Sequence, residues 1–211
     1  SRISRSHATK HIQDRCRQLK SIHLMSRTTI LTYHFILFIG IVFSLNTHAQ
    51  SEFKDSKIAW RTGAKLEWTD FQGKPPENDG ITKAETSSEI IISAEYFEGE
   101  IPNFKVRNSF IKNKSWTRTN SKKVLLHEQL HFDISQLFAR KISKKFSELK
   151  NNGELDVEAY IAEFDRLRNE EEKLQQKYDS ETNFIDDKKI MNQWVKFIEQ
   201  ELDKLKKFKV E

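Results

Sequence analysis

Residues 122–150 read KKVLLHEQLHFDISQLFARKISKKFSELK, and the spacing of their apolar side chains decides the fold. Leu126, Leu130, Ile134, Leu137, Phe138, Ile142, Phe146 and Leu149 recur at three- and four-residue intervals. That is the period of an amphipathic helix, so one long helix is expected over 122–150. Asn120 or Ser121 can accept from its first free N–H groups, and Asn152-Gly153 can end it. Downstream, Val157, Tyr160, Ile161, Phe164, Leu167 and Leu174 mark one face of a second helix, from Val157 to about Tyr178, with Asp156 as its cap. Ile190, Trp194, Phe197, Ile198, Leu202 and Leu205 mark the inward face of a third, from about Asp187 to Lys207. The run Asn169-Glu170-Glu171-Glu172-Lys173 reads as the solvated face of the second helix.

Upstream of Asn120 the period shortens. Leu66-Glu67-Trp68 and Glu89 to Phe97 are strand-like in their β-branched and aromatic content. Phe104 to Ile111 mostly alternates apolar and polar, the pattern of a half-buried strand. Glu98-Gly99-Glu100 is expected to join two strands as a hairpin, and Gly73 to Gly80 is a loop by composition. The fold class that follows is α+β, a small antiparallel β portion followed by three helices.

Within the first helix, His127-Glu128-Gln129-Leu130-His131 is HExxH. Four residues of α-helix turn through about 400°, so the two imidazoles stand about 40° apart on one face, one turn apart. Both can then reach one tetrahedral Zn²⁺ at about 2.0–2.1 Å. Glu128 flanks that face, where it can take a proton from a water activated at the metal. Leu126, Leu130 and Ile134 keep the same side of the helix apolar, which turns the imidazoles toward the interior. A catalytic zinc needs a third protein ligand. No other histidine follows Gln50, so that ligand has to be a carboxylate, and a third downstream histidine of the metzincin kind is excluded. Asp133 projects about 140° away from the pair and cannot join it, although it could orient a neighbouring group. Glu158, Glu163, Asp165, Asp179 and Glu181 remain open.

The charge of +5 misleads, because residues 1–49 hold seven of the 36 Lys+Arg and only one of the 31 Asp+Glu. From Gln50 onward 29 basic face 30 acidic residues, which argues against nucleic acid as a partner. Cys16 is the only cysteine, so the chain from Gln50 has no disulfide, thiolate-held metal or cysteine nucleophile. Ile30 to Leu45 carries no formal charge over sixteen residues, with Arg27 before it and Asn46-Thr47-His48-Ala49 after it. This describes a secretory signal peptide, cut after Ala49, with Met25 as the initiator and residues 1–24 upstream of it. A membrane span usually needs about 20 residues, so an uncleaved anchor is the lesser reading. The expected organisation is upstream sequence plus signal peptide over 1–49 and one domain over 50–211, periplasmic or secreted, with no membrane association of the mature chain.

Four stretches carry a family resemblance that spans nearly the whole mature chain. They are Leu66-Glu67-Trp68-Thr69-Asp70-Phe71-Gln72-Gly73, then Ser115-Trp116, then Leu125-Leu126-His127-Glu128-Gln129-Leu130-His131-Phe132-Asp133-Ile134, and last Tyr178-Asp179-Ser180-Glu181-Thr182-Asn183-Phe184 followed by Gln193-Trp194. Together they resemble an uncharacterised bacterial domain family described as predicted zinc-dependent proteases. The most specific of them is the LLHEQxHFDI core. Members of that family usually read Y-D-x-x-T-x-H in the fourth stretch, whereas Phe184 stands here in the place of the histidine. The resemblance implies a zincin-like metallopeptidase. If the missing histidine is the family's third ligand, Asp179 or Glu181 substitutes, the metal binds weakly, or catalysis is lost.

The expectation taken forward is hydrolysis of a peptide or protein substrate with Zn²⁺ held by His127, His131 and Asp179. Glu128 is the general base, and Tyr178 donates a hydrogen bond to the oxyanion of the tetrahedral intermediate. The strand over 104–111 could hold an extended peptide by edge pairing. The rival expectation is a non-catalytic envelope module that binds zinc or a peptide without cutting it. Trp60, Trp68, Trp116 and Trp194 are assigned to the core.

Overall fold

The structure is a computed structural model, and it describes residues 56–77, 80, 82–182, 188–208 and 210. The apolar run Ile30 to Leu45, Met25, Cys16, the cut at Ala49 and Phe184 lie outside the described residues. Among the described residues no helix is long and apolar enough to cross a membrane.

The architecture is α+β. Strands β1 (Lys57–Ala59), β4 (Asn103–Ile111) and β3 (Ser88–Glu95) form an antiparallel sheet in the order β1-β4-β3. A second pair, β2 (Ala84–Glu85) with β5 (Trp116–Thr117), is also antiparallel. Helices α1 (Lys122–Asn151), α2 (Val157–Thr182) and α3 (Lys188–Lys204) follow. The hairpin β3–β4 runs in register from Ser88 opposite Phe110 to Glu95 opposite Asn103, with Gly99 at φ +80° in its turn. That left-handed conformation is one that glycine adopts without a Cβ penalty.

Alternation along β4 sets what faces inward. Val106, Asn108 and Phe110 are buried while Lys105 and Arg107 are exposed. Opposite them Ile90 and Ile92 of β3 are buried. Phe110 is fully buried, with its ring 5.0 Å from Phe71 and 5.8 Å from Phe132 of α1. Leu66 completes that cluster, and Ile58, Trp60, Trp68 and Leu125 pack against it. Replacing Phe110 by alanine is expected to destabilise the fold by about 3–5 kcal/mol, because it removes a full ring from a packed site. Urea denaturation read by tryptophan fluorescence measures this, and an unchanged midpoint would show that the cluster is not the core.

Helix α1 packs against β3, β4, α2 and α3, and every residue from Phe132 to Ala139 is buried. Ser121 is its N-cap and accepts from Val124 N–H, and Asn152 and Gly153 close its other end on the carbonyls of residues 148–150. Asp156 accepts from Glu158 N–H at the start of α2, as expected. The inward polar residue of the sheet, Asn108, is met by α1. Its Nδ2 donates to Gln136 Oε1 at 3.1 Å, and Ser135 Oγ donates to its Oδ1 at 2.9 Å.

Several expectations change. Leu66-Glu67-Trp68 is not a strand. Trp68–Asp70 is a 3₁₀ turn in which Asp70 accepts from Glu67 N–H, and that local bond competes with extended pairing. Strand β4 is the middle strand: β3 pairs with it along its length and β1 takes its other side from Ser109 to Ile111, so that end offers no edge to a peptide. Phe197 is 41% exposed, although its spacing put it inward, while its neighbour Ile198 carries the buried face. Leu126 is exposed as well, and the first fully buried residue of α1 is Glu128. The strands β1, β2 and β5 are two or three residues long, too short to show a period.

Candidate metal centre

The site lies where the first three turns of α1 meet the last two of α2. Helix α1 presents His127 and His131, whose ring centroids are 4.7 Å apart. Helix α2 presents Gln175, Tyr178, Asp179 and Thr182, a stripe at i, i+3, i+4 and i+7 that must share one face. His127 Nε2 and His131 Nε2 are 3.0 Å apart. Asp179 Oδ1 lies 3.3 Å from the first and 3.0 Å from the second. Among the described residues these three form the one group of His, Cys, Asp or Glu side chains whose ligand atoms converge.

The partners of the outer ring nitrogens show which atoms carry protons. Thr182 Oγ1 donates to Tyr178 O at 2.6 Å, so toward His127 Nδ1, 3.3 Å away, it can only accept. His131 Nδ1 lies 2.6 Å from Gln175 Oε1, while Gln175 Nε2 donates to His131 O at 3.0 Å. Both rings therefore carry hydrogen on Nδ1 and turn an Nε2 lone pair inward. Two lone pairs and a carboxylate oxygen aimed at one another repel unless a cation lies among them. Donors around a tetrahedral ion at 2.0–2.1 Å stand about 3.3–3.4 Å apart, close to the separations found. The donor set of two neutral imidazoles and one carboxylate suits Zn²⁺. The residues present thus fit the metal expected from HExxH.

Protonation of an imidazole at Nε2 relieves the same repulsion, and the electrostatics favour it. Burial pulls the His131 pKa down, but Asp179 and Glu128 outweigh it and hold it above the ordinary value. Burial pushes the Asp179 carboxyl up, but the hydrogen bonds and charges of the two imidazoles outweigh that and hold it well below the ordinary range. The Asp179 side chain is 41% exposed against 14% and 17% for the histidines, so the centre opens to solvent on the α2 side.

Glu128 is buried, and its Oε2 has no hydrogen-bond partner. Thr86, between β2 and β3, donates to the backbone carbonyl of Glu128 and ties that connection to α1. An unpartnered buried carboxylate oxygen is costly and marks a place for a bound water or substrate group.

Tyr178 does not stand as an oxyanion donor. Its hydroxyl points inward, donating to His127 O at 3.2 Å beside Met191 Sδ at 3.6 Å, and the residue is fully buried. Its ring stacks on His127 at 4.7 Å and meets His131 edge-on at 4.9 Å, so it is a wall for both imidazoles. Burial, with the charges of Glu128 and Asp179, pushes its phenol far above the ordinary pKa. Trp194 packs edge-on to Tyr178 and donates to Glu181 Oε2 at 2.9 Å, which takes Glu181 away from the metal position. Glu163 pairs with Lys145 and Arg166, and Glu158 and Asp165 also stand outside the converging group.

Asp133 is neither a surface carboxylate nor a neighbour of the metal position. It is buried and accepts from Trp60 Nε1 at 2.7 Å and from Gln129 Nε2 at 2.9 Å. Gln129 Oε1 in turn accepts from Leu66 N–H at 2.8 Å. Burial raises the Asp133 pKa against those hydrogen bonds. This chain of bonds clamps the segment 60–66 onto α1. Further along the chain, Gly73 N–H donates to Ser115 O at 2.7 Å, and a Cβ there would stand 2.9 Å from that oxygen.

Sequence reasoning missed Gln175 and Thr182 as functional residues, and it placed Glu171 on the solvated face. Glu171 is buried and paired with Arg168. The available signal was the polar stripe continuing from Glu171 through Gln175 to Asp179 at four-residue steps, hidden inside a run of charges.

No curated protein and no solved structure gives a significant match to the chain. Residues 41–188 match the family described as "Bacterial protein of unknown function (DUF922)". That span holds His127, Glu128, His131 and Asp179, and on its extent the chain belongs to this bacterial family of unknown function.

Proposed function

We propose that the chain is a zinc-dependent metallopeptidase of zincin-like architecture, exported to the periplasm or secreted, that hydrolyses a bond in a peptide or protein substrate. One observation carries the reading. Three ligand atoms converge within 3.3 Å beside Glu128, a buried carboxylate with an unpartnered oxygen. A site that only holds a metal has no use for a spare buried base. His127, His131 and Asp179 would hold the ion. Zn²⁺, when bound, supplies a Lewis acid that polarises a carbonyl and brings the pKa of a water to about 7. Glu128 takes the proton of the attacking water and passes it to the leaving amine. Tyr178 holds both imidazoles in place, and Thr182 and Gln175 hold their tautomers. The exposed side of Asp179 is the approach for substrate. Export rests on the apolar run Ile30 to Leu45 and its basic flank.

Phe184, where the resembling family has histidine, favours a second reading, a zinc-binding module that does not cut. Against it, Asp179 supplies the third corner without residue 184.

Metal content tests the proposal. The chain purified without chelator is expected to hold about one zinc per molecule by mass spectrometry. The His127→Ala/His131→Ala double variant should hold none. A wild-type chain that takes up no zinc even on addition would overturn the peptidase reading. Zinc at one per chain with no cleavage of any member of a peptide library would favour the module.

A further inference from the structure

Resting on the metal-site reading above, we infer that Trp194 of α3 is a positioning residue, which acts through Glu181 to clasp the last turn of α2 and so hold Asp179 at the two histidines.

Asp179 stands at a weak place in its helix. It belongs to the turn that ends α2 at Thr182, and its side chain is 41% exposed. The last four carbonyls of a helix have no partner within it, so a terminal turn opens more readily than the middle. Three donor atoms within 3.3 Å need that turn closed. Two side chains of the turn reach α1. Tyr178 donates to His127 O at 3.2 Å, and Thr182 Oγ1 lies 3.3 Å from His127 Nδ1, both long for hydrogen bonds from or to a hydroxyl. The shorter tie comes from α3. Trp194 Nε1 donates to Glu181 Oε2 at 2.9 Å, an N–H on a carboxylate oxygen. The same indole meets the Tyr178 ring edge-on at 5.1 Å. Lys177 Nζ lies 5.9 Å over the indole and 3.8 Å from Glu181 Oε1. One side chain of α3 thus grips α2 at Tyr178 and at Glu181, and Asp179 lies between them.

A clasp needs a firm mount, and α3 has one on α1. Ile198 and Leu202 bury the inward face of α3, and the two helices pack together. At the far end Arg140 Nη1 of α1 donates to Leu202 O at 2.7 Å, satisfying a carbonyl of the last turn of α3. Near Trp194, Met191 is buried with its Sδ 3.6 Å from the Tyr178 hydroxyl. Helix α3 therefore refers the turn that carries Asp179 back to the helix that carries His127 and His131. All three ligands take their relative place from α1, two directly and one through Trp194.

Two rates test the clasp on the full chain. One is zinc release from the loaded protein into excess chelator, and the other is amide hydrogen exchange at residues 179–182 of the metal-free protein. Glu181→Ala removes the acceptor and leaves every buried ring in place. It is expected to speed both rates by about 10-fold, the weight of one hydrogen bond to a charged group, with the melting temperature of the metal-free chain unchanged. Trp194→Phe keeps a ring against Tyr178 without the N–H and is expected to speed both rates to the same extent. The double variant is expected to add nothing, because each single change breaks the same bond. Glu181→Gln still offers an oxygen to the indole and is expected to stay within a few-fold of wild type. A merely structural tryptophan would lower the melting temperature, and neither Glu181→Ala would mimic its loss nor Glu181→Gln escape it. Glu181→Ala with both rates unchanged overturns the inference, as do losses that add in the double variant. If the wild-type chain binds no zinc yet exchange at 179–182 depends on Glu181, the metal reading fails and the clasp stands.

Discussion

Glu128→Gln is expected to lower peptide hydrolysis by about 10²–10⁴-fold, the range that a positioned general base contributes, with zinc content unchanged. The amide has the shape of the carboxylate and none of its basicity. Glu128 contributes no atom to the converging group, so the ligand atoms are untouched. Its Oε2 is buried without a partner, so exchange for a neutral amide removes a desolvation cost and should not lower the melting temperature. Turnover of a fluorogenic peptide, zinc by mass spectrometry and a thermal melt on the same preparation check the three parts. Activity retained by the variant would remove Glu128 from the reaction. Zinc lost with activity would make it a ligand and not a base.

The second large effect is at Asp179. Asp179→Ala is expected to weaken zinc binding by more than about 100-fold, beyond the 10–100-fold that loss of a group one bond further out costs. The variant leaves two Nε2 lone pairs 3.0 Å apart with no third corner. Glu181, two residues on, is not free to step in, because it is held by Trp194 and Lys177. Chelator competition measures the loss. Affinity within a few-fold of wild type would mean that another donor completes the site.

The helices and the histidine pair were legible in the sequence because helical period and ligand spacing are local. His127 and His131 share a face whatever the rest of the chain does, and Phe132 to Ala139 is too apolar to lie in water. The choice of Asp179 from the sequence had less behind it. Five acids of α2 were open on helix geometry, Asp179 was taken forward, and the packing of α2 against α1 brings it to the two histidines. Glu171 was misread because a charged residue in a helix is usually solvated. The task of Asp133 was not legible either, because one partner that holds it lies far away in sequence. Trp60 is 73 residues from Asp133. Tyr178 was assigned to the right place and the wrong task, since position along a helix says nothing about where a hydroxyl ends.

The two helices that make the centre differ in how firmly they are held. His131 adjoins the fully enclosed middle of α1, whereas Asp179 and Thr182 belong to the final turn of α2, which ends at Thr182. Terminal turns lack half of their backbone bonds and open at far lower free energy than helix middles. An ion shared by the two would act as a rivet between a rigid spar and a hinged flap. Its binding energy would then appear as protection of the α2 terminus, and its departure would begin with the unwinding of one helical turn, not with the loss of the fold.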